Sequence, residues 1–301
     1  MRSLAGELPA VPRGTQARRT GVLSPVMLVI PAAALILVFL FIPYINILVI
    51  SVRVSSTSAP YAPGFTLANF QRALGDSLYL GILARTLMIG LATSLICLVL
   101  GFPVAFYLAR TATRFRGVLY ACILSPLLVG VVIRCYGWVI ILANTGLINT
   151  SLRDAGVIKG NLPLMYNVFG VLVGMVHVYL PFMILSLLSA LQSIDPSLED
   201  AARSLGASER TVYTRVVLPL TMPGIQSGTI LVFVLAISSY VTPVVLGGSR
   251  VELMAPLVVQ QLIETFLWPF GAALALVLAI SGALAIWVWT RLTLRVMQGV
   301  E

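Results

Sequence analysis

Six apolar runs, each long enough to cross a hydrocarbon core about 30 Å thick, constrain this chain more than any other feature. They fall near residues 25–50, 79–109, 117–143, 167–193, 224–247 and 270–292. Inside lipid no water satisfies a peptide N–H or C=O, so a spanning segment must close its hydrogen bonds internally. The expected fold class is therefore an all-α membrane protein with six transmembrane helices. A chain that is 59% hydrophobic and 10% charged has too much apolar surface to hide in a water-soluble core. The first run far exceeds the 7–15-residue core of a signal peptide and ends in no small-residue cleavage site, so it reads as an anchor. Residues 1–22, with Arg2, Arg13, Arg18 and Arg19 among Gly, Pro and Ser, read as a flexible basic tail, and residues 23–298 as one transmembrane domain.

Six spans put both ends of the chain on one side, and the basic residues choose the side. The tail, the 110–116 turn, the 195–219 loop and the C-terminus hold twelve Lys and Arg; the three opposite loops hold five. The excess places both termini and the 195–219 loop in the cytoplasm. The net charge of +9 is spread over the ends of apolar runs rather than gathered on one face, which excludes a nucleic-acid partner. Cys97, Cys122 and Cys135 lie in apolar runs with no CxxC pair and read as small packing residues. His177 has no nearby ligand set, so no metal and no catalytic constellation is expected. Pro103, Pro126, Pro181 and Pro243 each remove a backbone bond within a span. Such breaks survive in lipid where neighbouring helices or a wet cavity satisfy the freed carbonyls, so bundle packing and a bent, path-lining helix are both open.

The polar loop at 195–219 is built to fold. Asp195 is a good N-cap, Pro196 suits the first helical position, and Gly206 supplies a left-handed stop. Leu198, Ala201, Ala202 and Leu205 recur at helical spacing, with Ala201 and Ala202 small enough to admit another protein surface. Ser208 caps a second helix with Val212, Tyr213, Val216 and Val217 as its stripe, and Leu218-Pro219 closes the unit. The pattern fits a peg for a soluble partner; a helix lying on lipid headgroups shares the same periodicity.

Asp200-Ala201-Ala202, three residues, Gly206, nine residues, Val216, one residue, Leu218-Pro219 resembles the Glu-Ala-Ala loop of permease subunits of bacterial ABC importers. Asp200 stands where glutamate is usual and Val216 where isoleucine is usual. The resemblance runs from about residue 24 to 298. Within it Ile133-Arg134-Cys135-Tyr136-Gly137-Trp138, Tyr179-Leu180-Pro181-Phe182-Met183, Tyr240-Val241-Thr242-Pro243 and Trp268-Pro269-Phe270-Gly271-Ala272 look like the spermidine/putrescine branch. It implies a type I importer fold in a bacterial inner membrane, a second permease, two ATPase subunits and a periplasmic solute-binding protein. It also implies that the loop docks on an ATPase. The chain has no GxxxxGK[ST] run, so ATP belongs to the partner and no cofactor is expected here. A secondary transporter or a non-transport scaffold is the alternative; the first would need an acid within a span.

For the solute path the candidates are Arg134, Tyr136, Trp138, Tyr179 and Tyr240. An intramembrane charge needs a partner or a wet cavity, so Arg134 is either a solute or gate contact or a structural pair. The rings either cradle an amine by cation–π attraction or mark the interface belt. All ten acids lie in tails, loops or span edges. The family resemblance points to a polyamine, whereas an intramembrane arginine suits a zwitterion or an anion as well.

Overall fold

The computed structural model describes residues 25–56, 59–111 and 114–298; the basic tail at 1–22 lies outside them. Two compact units divide at residue 47. The described part of the first is most of α1 (Pro25–Ser51), a helix whose large apolar side chains are exposed from Ile30 to Val49, as lipid contact requires.

The second unit opens with a short antiparallel hairpin, β1 (Arg53–Val54) and β2 (Ala62–Phe65), pairing Arg53 with Phe65. The sequence reading held no strand there. Asn69, in α2 (Ala68–Gly75), donates to the carbonyls of Ser51 (3.0 Å) and Arg53 (2.9 Å) and so ties the hairpin down. Then follow α3 (Ser77–Arg110), α4 (Arg116–Leu128), α5 (Val131–Leu142), α6 (Leu147–Asp154) and α7 (Val168–Gln192). The short α8 (Ser197–Ser204) and α9 (Glu209–Val212) precede α10 (Leu218–Ile237), α11 (Met254–Val259) and α12 (Trp268–Gln298). Among the described residues, six segments are long and apolar enough to cross a membrane.

Three boundaries depart from the sequence reading. The run at 117–143 is two helices, because α4 ends two residues after Pro126 and the chain extends at Val129 before α5 begins. The run at 224–247 ends as a helix at Ile237 and resumes as a π-helical turn at Pro243–Gly247. Leu218-Pro219 does not close the loop. A π-helical turn at Tyr213–Val217, with the Leu218 N–H reaching back to the Tyr213 carbonyl, joins α9 to α10. Pro219 has no N–H and its ring crowds the carbonyl four residues back, so widening that turn lets the helix run on.

The main core is made by α3, α7 and α10 around Cys97, Met175, Met183, Leu187, Leu191 and Val232, all fully buried. Lipid tails are as apolar as leucine, so helices in a membrane hold together by close van der Waals packing at small residues. Gly224 shows this: a Cβ there would collide with the Cβ of Ala190 on α7. A second core joins α2, α3, α11 and α12 around Tyr79, Met254, Phe270 and Leu274. Thr86 on α3 fixes that seam by accepting the Met254 N–H at 2.9 Å. Cys97 and Cys135 are buried as packing residues, whereas Cys122 is exposed.

Candidate functional site

The 195–219 region folds as an elbow of two short helices. Asp195 Oδ1 accepts the Ser197 N–H at 2.9 Å, which holds its carboxyl below the usual aspartate range. Gly206 has φ +84°, the left-handed turn that ends α8. Ser208 Oγ accepts the Thr211 N–H at 3.3 Å and starts α9. Of the four residues read as one apolar face, Leu198, Ala201 and Leu205 point outward, Leu205 with 89% of its surface free. Ala202 does not join them; it is half-buried and packs on the main core. In the second arm Val212 and Val217 are buried, Val216 is half-buried, and Tyr213 meets Phe102 and Phe106 of α3 edge-on at 5.6 and 6.0 Å. Asp200 stays exposed, bonded to Arg203 at 3.0 Å.

What braces the elbow was not legible in the sequence. Glu199, only 4% exposed, receives the Arg110 Nε–H at 2.7 Å. The same guanidinium donates to the carbonyls of Leu191 (3.1 Å) and Ile194 (3.4 Å), at the end of α7 and just past it. One arginine thus clamps α3, α7 and α8 together. A cation at the negative end of α7 is favoured by the helix dipole, and the charged partner makes each bond stronger than a neutral one. Arg203 adds an outer layer, reaching Glu209 at 2.8 Å and Glu199 at 3.5 Å. Arg110 counts as a topology charge by position, and nothing local marks Glu199 as its partner 89 residues on.

The path candidates separate into two groups. Arg134 and Trp138, one turn apart on α5, face α7: the Trp138 ring meets His177 edge-on at 5.6 Å, and Arg134 lies within electrostatic reach of His177 and Tyr179. Tyr179 is 9% exposed, and Cys135 Sγ sits 3.5 Å from the buried Thr242 hydroxyl. Tyr136 points away from this cluster, 58% exposed. Tyr240 lies elsewhere, in the break between α10 and the π turn, and lines a cleft of about 220 Å³ with Glu252, Gln260 and Glu264. Gly248 and Ser249 link this cleft to a second, of about 440 Å³, bordered by Asn144, Tyr166 and Arg250. The two glutamates entered the sequence reading only as loop charges; the fold brings them to Tyr240.

Residues 10–298 match the family described as "Binding-protein-dependent transport system inner membrane component". The chain belongs to this family. It is 34% identical over 266 residues to the spermidine/putrescine transport system permease protein PotB of Escherichia coli (strain K12), covering 88% of this chain and 96% of that one. PotB of Haemophilus influenzae (strain ATCC 51907 / DSM 11121 / KW20 / Rd) is also 34% identical, over 87% of this chain and 92% of its own. Among solved structures, a bacterial alginate ABC transporter in complex with an alginate pentasaccharide-bound periplasmic protein superposes with a TM-score of 0.67. That match covers 90% of this chain and 94% of the other at 16% identity, which speaks for the fold alone. The chain is a multi-pass inner-membrane permease subunit of an ABC importer, similar to the spermidine/putrescine branch.

Proposed function

We propose that this chain, with a second permease subunit, forms the path by which a small amine-bearing solute of the polyamine class enters the cell, driven by two ATPase subunits that dock at the 195–219 elbow. The observation that carries the coupling role is the elbow itself. An outward apolar patch, Leu198, Ala201 and Leu205, stands on a helix whose inner side is locked to α3 and α7 by the buried Arg110–Glu199 pair. A surface helix resting on lipid would not need that anchor, whereas a helix that transmits a push would. Asp200, Ala201, Gly206 and Val216 are then the docking and turn residues. Ala202, Leu218 and Pro219 seat the elbow on the core and carry it into α10. The excess of basic residues sets this end, with both chain termini, in the cytoplasm. A periplasmic solute-binding protein delivers to the opposite end, and this chain itself uses ATP only through its partners.

The polyamine class is supported by 34% identity to two spermidine/putrescine permeases over most of the chain. The Tyr240 cleft supports it too, since Glu252 and Glu264 offer an amine the carboxylates that the spans lack and the ring offers its π face. Gly206→Pro tests the coupling role, because proline cannot adopt the φ of +84°. Membrane insertion should persist, while ATPase activity stimulated by loaded binding protein should fall to the basal rate. Normal stimulated activity in that variant would remove the coupling role. Tyr240→Ala with Glu252→Gln should weaken putrescine uptake about tenfold or more if the cleft reads the amine.

A further inference from the structure

The two joined clefts are sorted by charge. Among the described residues lining the larger one, Arg250 alone is charged, and the Asn144 amide and the Ser249 hydroxyl share its wall. The smaller one has Glu252 and Glu264 as its charged residues, with Tyr240 and Gln260. Neither Arg250 nor the two glutamates takes part in an ion pair or a side-chain hydrogen bond among the described residues. Arg250 and Glu252 stand two positions apart, so their Cα atoms are separated by at most about 7 Å. Opposite charges that close could neutralise each other; here each fronts its own cleft.

The wall between the clefts is held in place. Val251 is 4% exposed and packs so closely on Gly247 that a Cβ there would strike it. Gly248, at φ +54°, leaves room for the Tyr166 ring, which a Cβ at that position would also strike. Tyr166 is itself left-handed, at φ +58°, and its N–H donates to the Leu246 carbonyl at 2.8 Å. A tyrosine in that conformation costs energy that its surroundings must offset, and such positions gather at ligand sites. Both clefts lie between the chain entering α7 and the chain leaving α10, at the end of those helices opposite the elbow.

We infer that the joined clefts bind a short amino carboxylate lengthwise, its ammonium at Glu252 and Glu264 and its carboxylate at Arg250, so that the importer takes up ω-amino acids besides diamines. A diamine engages the smaller cleft with one end, and reaching across would set its second ammonium against Arg250. A carboxylate there instead accepts from the guanidinium, and charge-assisted bonds of that kind are the strong ones. Asn144 and Ser249 add neutral donors. An α-amino acid carries both charges on one carbon and cannot reach the two clefts at once. The solute that fits both ends has its amine and carboxylate joined by a few methylenes.

This inference rests on the amine-reading role of the Tyr240 cleft, and the experiment separates the two. Uptake of labelled putrescine, 4-aminobutyrate and 2-aminobutyrate is measured for the complete importer in a host stripped of other routes for them. The parent is compared with Arg250→Gln, Arg250→Lys and Arg250→Glu. The solute-binding protein is the same throughout, so a shift between variants belongs to the permease. The parent should take up putrescine and 4-aminobutyrate but not 2-aminobutyrate. The ratio of 4-aminobutyrate to putrescine uptake, each as kcat/KM, should fall about tenfold with Gln and stay near parental with Lys. With Glu it should fall further, as the reversed charge attracts the second ammonium. Immunoblots of the membranes check that each variant accumulates, and if Gln does not, the Glu ratio decides. A ratio that neither Gln nor Glu moves overturns the inference. So does a parent that takes up putrescine without 4-aminobutyrate, or 2-aminobutyrate as well as 4-aminobutyrate; the polyamine reading survives both results. A parent that takes up neither putrescine nor 4-aminobutyrate sinks that reading, and this inference with it.

Discussion

Glu199 and Asp200 are adjacent acids with opposite fates: the first is buried against Arg110, the second faces water beside Arg203. Their different burial predicts different costs. Glu199→Ala leaves the Arg110 guanidinium partly unpaired in a site where only 16% of its side chain is exposed, and should lower stability by about 3 kcal/mol, read as an earlier melt in detergent. Replacing Arg110 and Glu199 together by methionine should restore much of that loss. Asp200→Ala removes only an exposed contact, so its effect should fall on ATPase binding and leave the melt in place. Asp195 gives a pH signature. The Ser197 N–H lowers the folded carboxyl, so its contribution to the α8 start is complete above the ordinary aspartate range. It is lost as pH falls through the lowered value. Hydrogen exchange at Ser197 should speed up over that acid window, and Asp195→Asn should flatten the dependence.

Caps and stops were legible element by element because they are local. A side-chain oxygen, a proline ring or a left-handed glycine acts within four residues, so Asp195, Ser208 and Gly206 could be read in advance. Breaks in long helices were harder. Pro103 and Pro181 lie inside continuous helices, whereas Pro126 and Pro243 accompany breaks. Whether a lost N–H ends a helix depends on what the neighbouring elements supply, and one sequence does not carry that. Contacts between elements give the sharpest test here. Gly224→Val would thrust a side chain into Ala190 and should cost about 1–3 kcal/mol, with partial rescue by Ala190→Gly. If melting temperature is unmoved, the α7–α10 seam is not held by close approach.

At the scale of the whole molecule, the spans, the charge bias and the spacing of the loop motif settled the class, and the family match agrees with them. The reason is that the bilayer is a severe solvent: it demands helices of fixed minimum length and penalises charge, so both demands are written into composition. The same fold in an alginate importer shows that class does not fix cargo. Purification of the complex should yield a stoichiometric ATPase, and its absence would favour a scaffold over an importer. Linear order alone determined six helical spans and a folded, polar elbow. The tertiary structure decided that Arg110 and Glu199, 89 residues apart, form its anchor, that Ala202 turns inward, and that Tyr240 shares a cleft with two glutamates. Those three are contacts between elements far apart in the chain, where partner and distance come from packing, and no local rule of spacing or propensity specifies them.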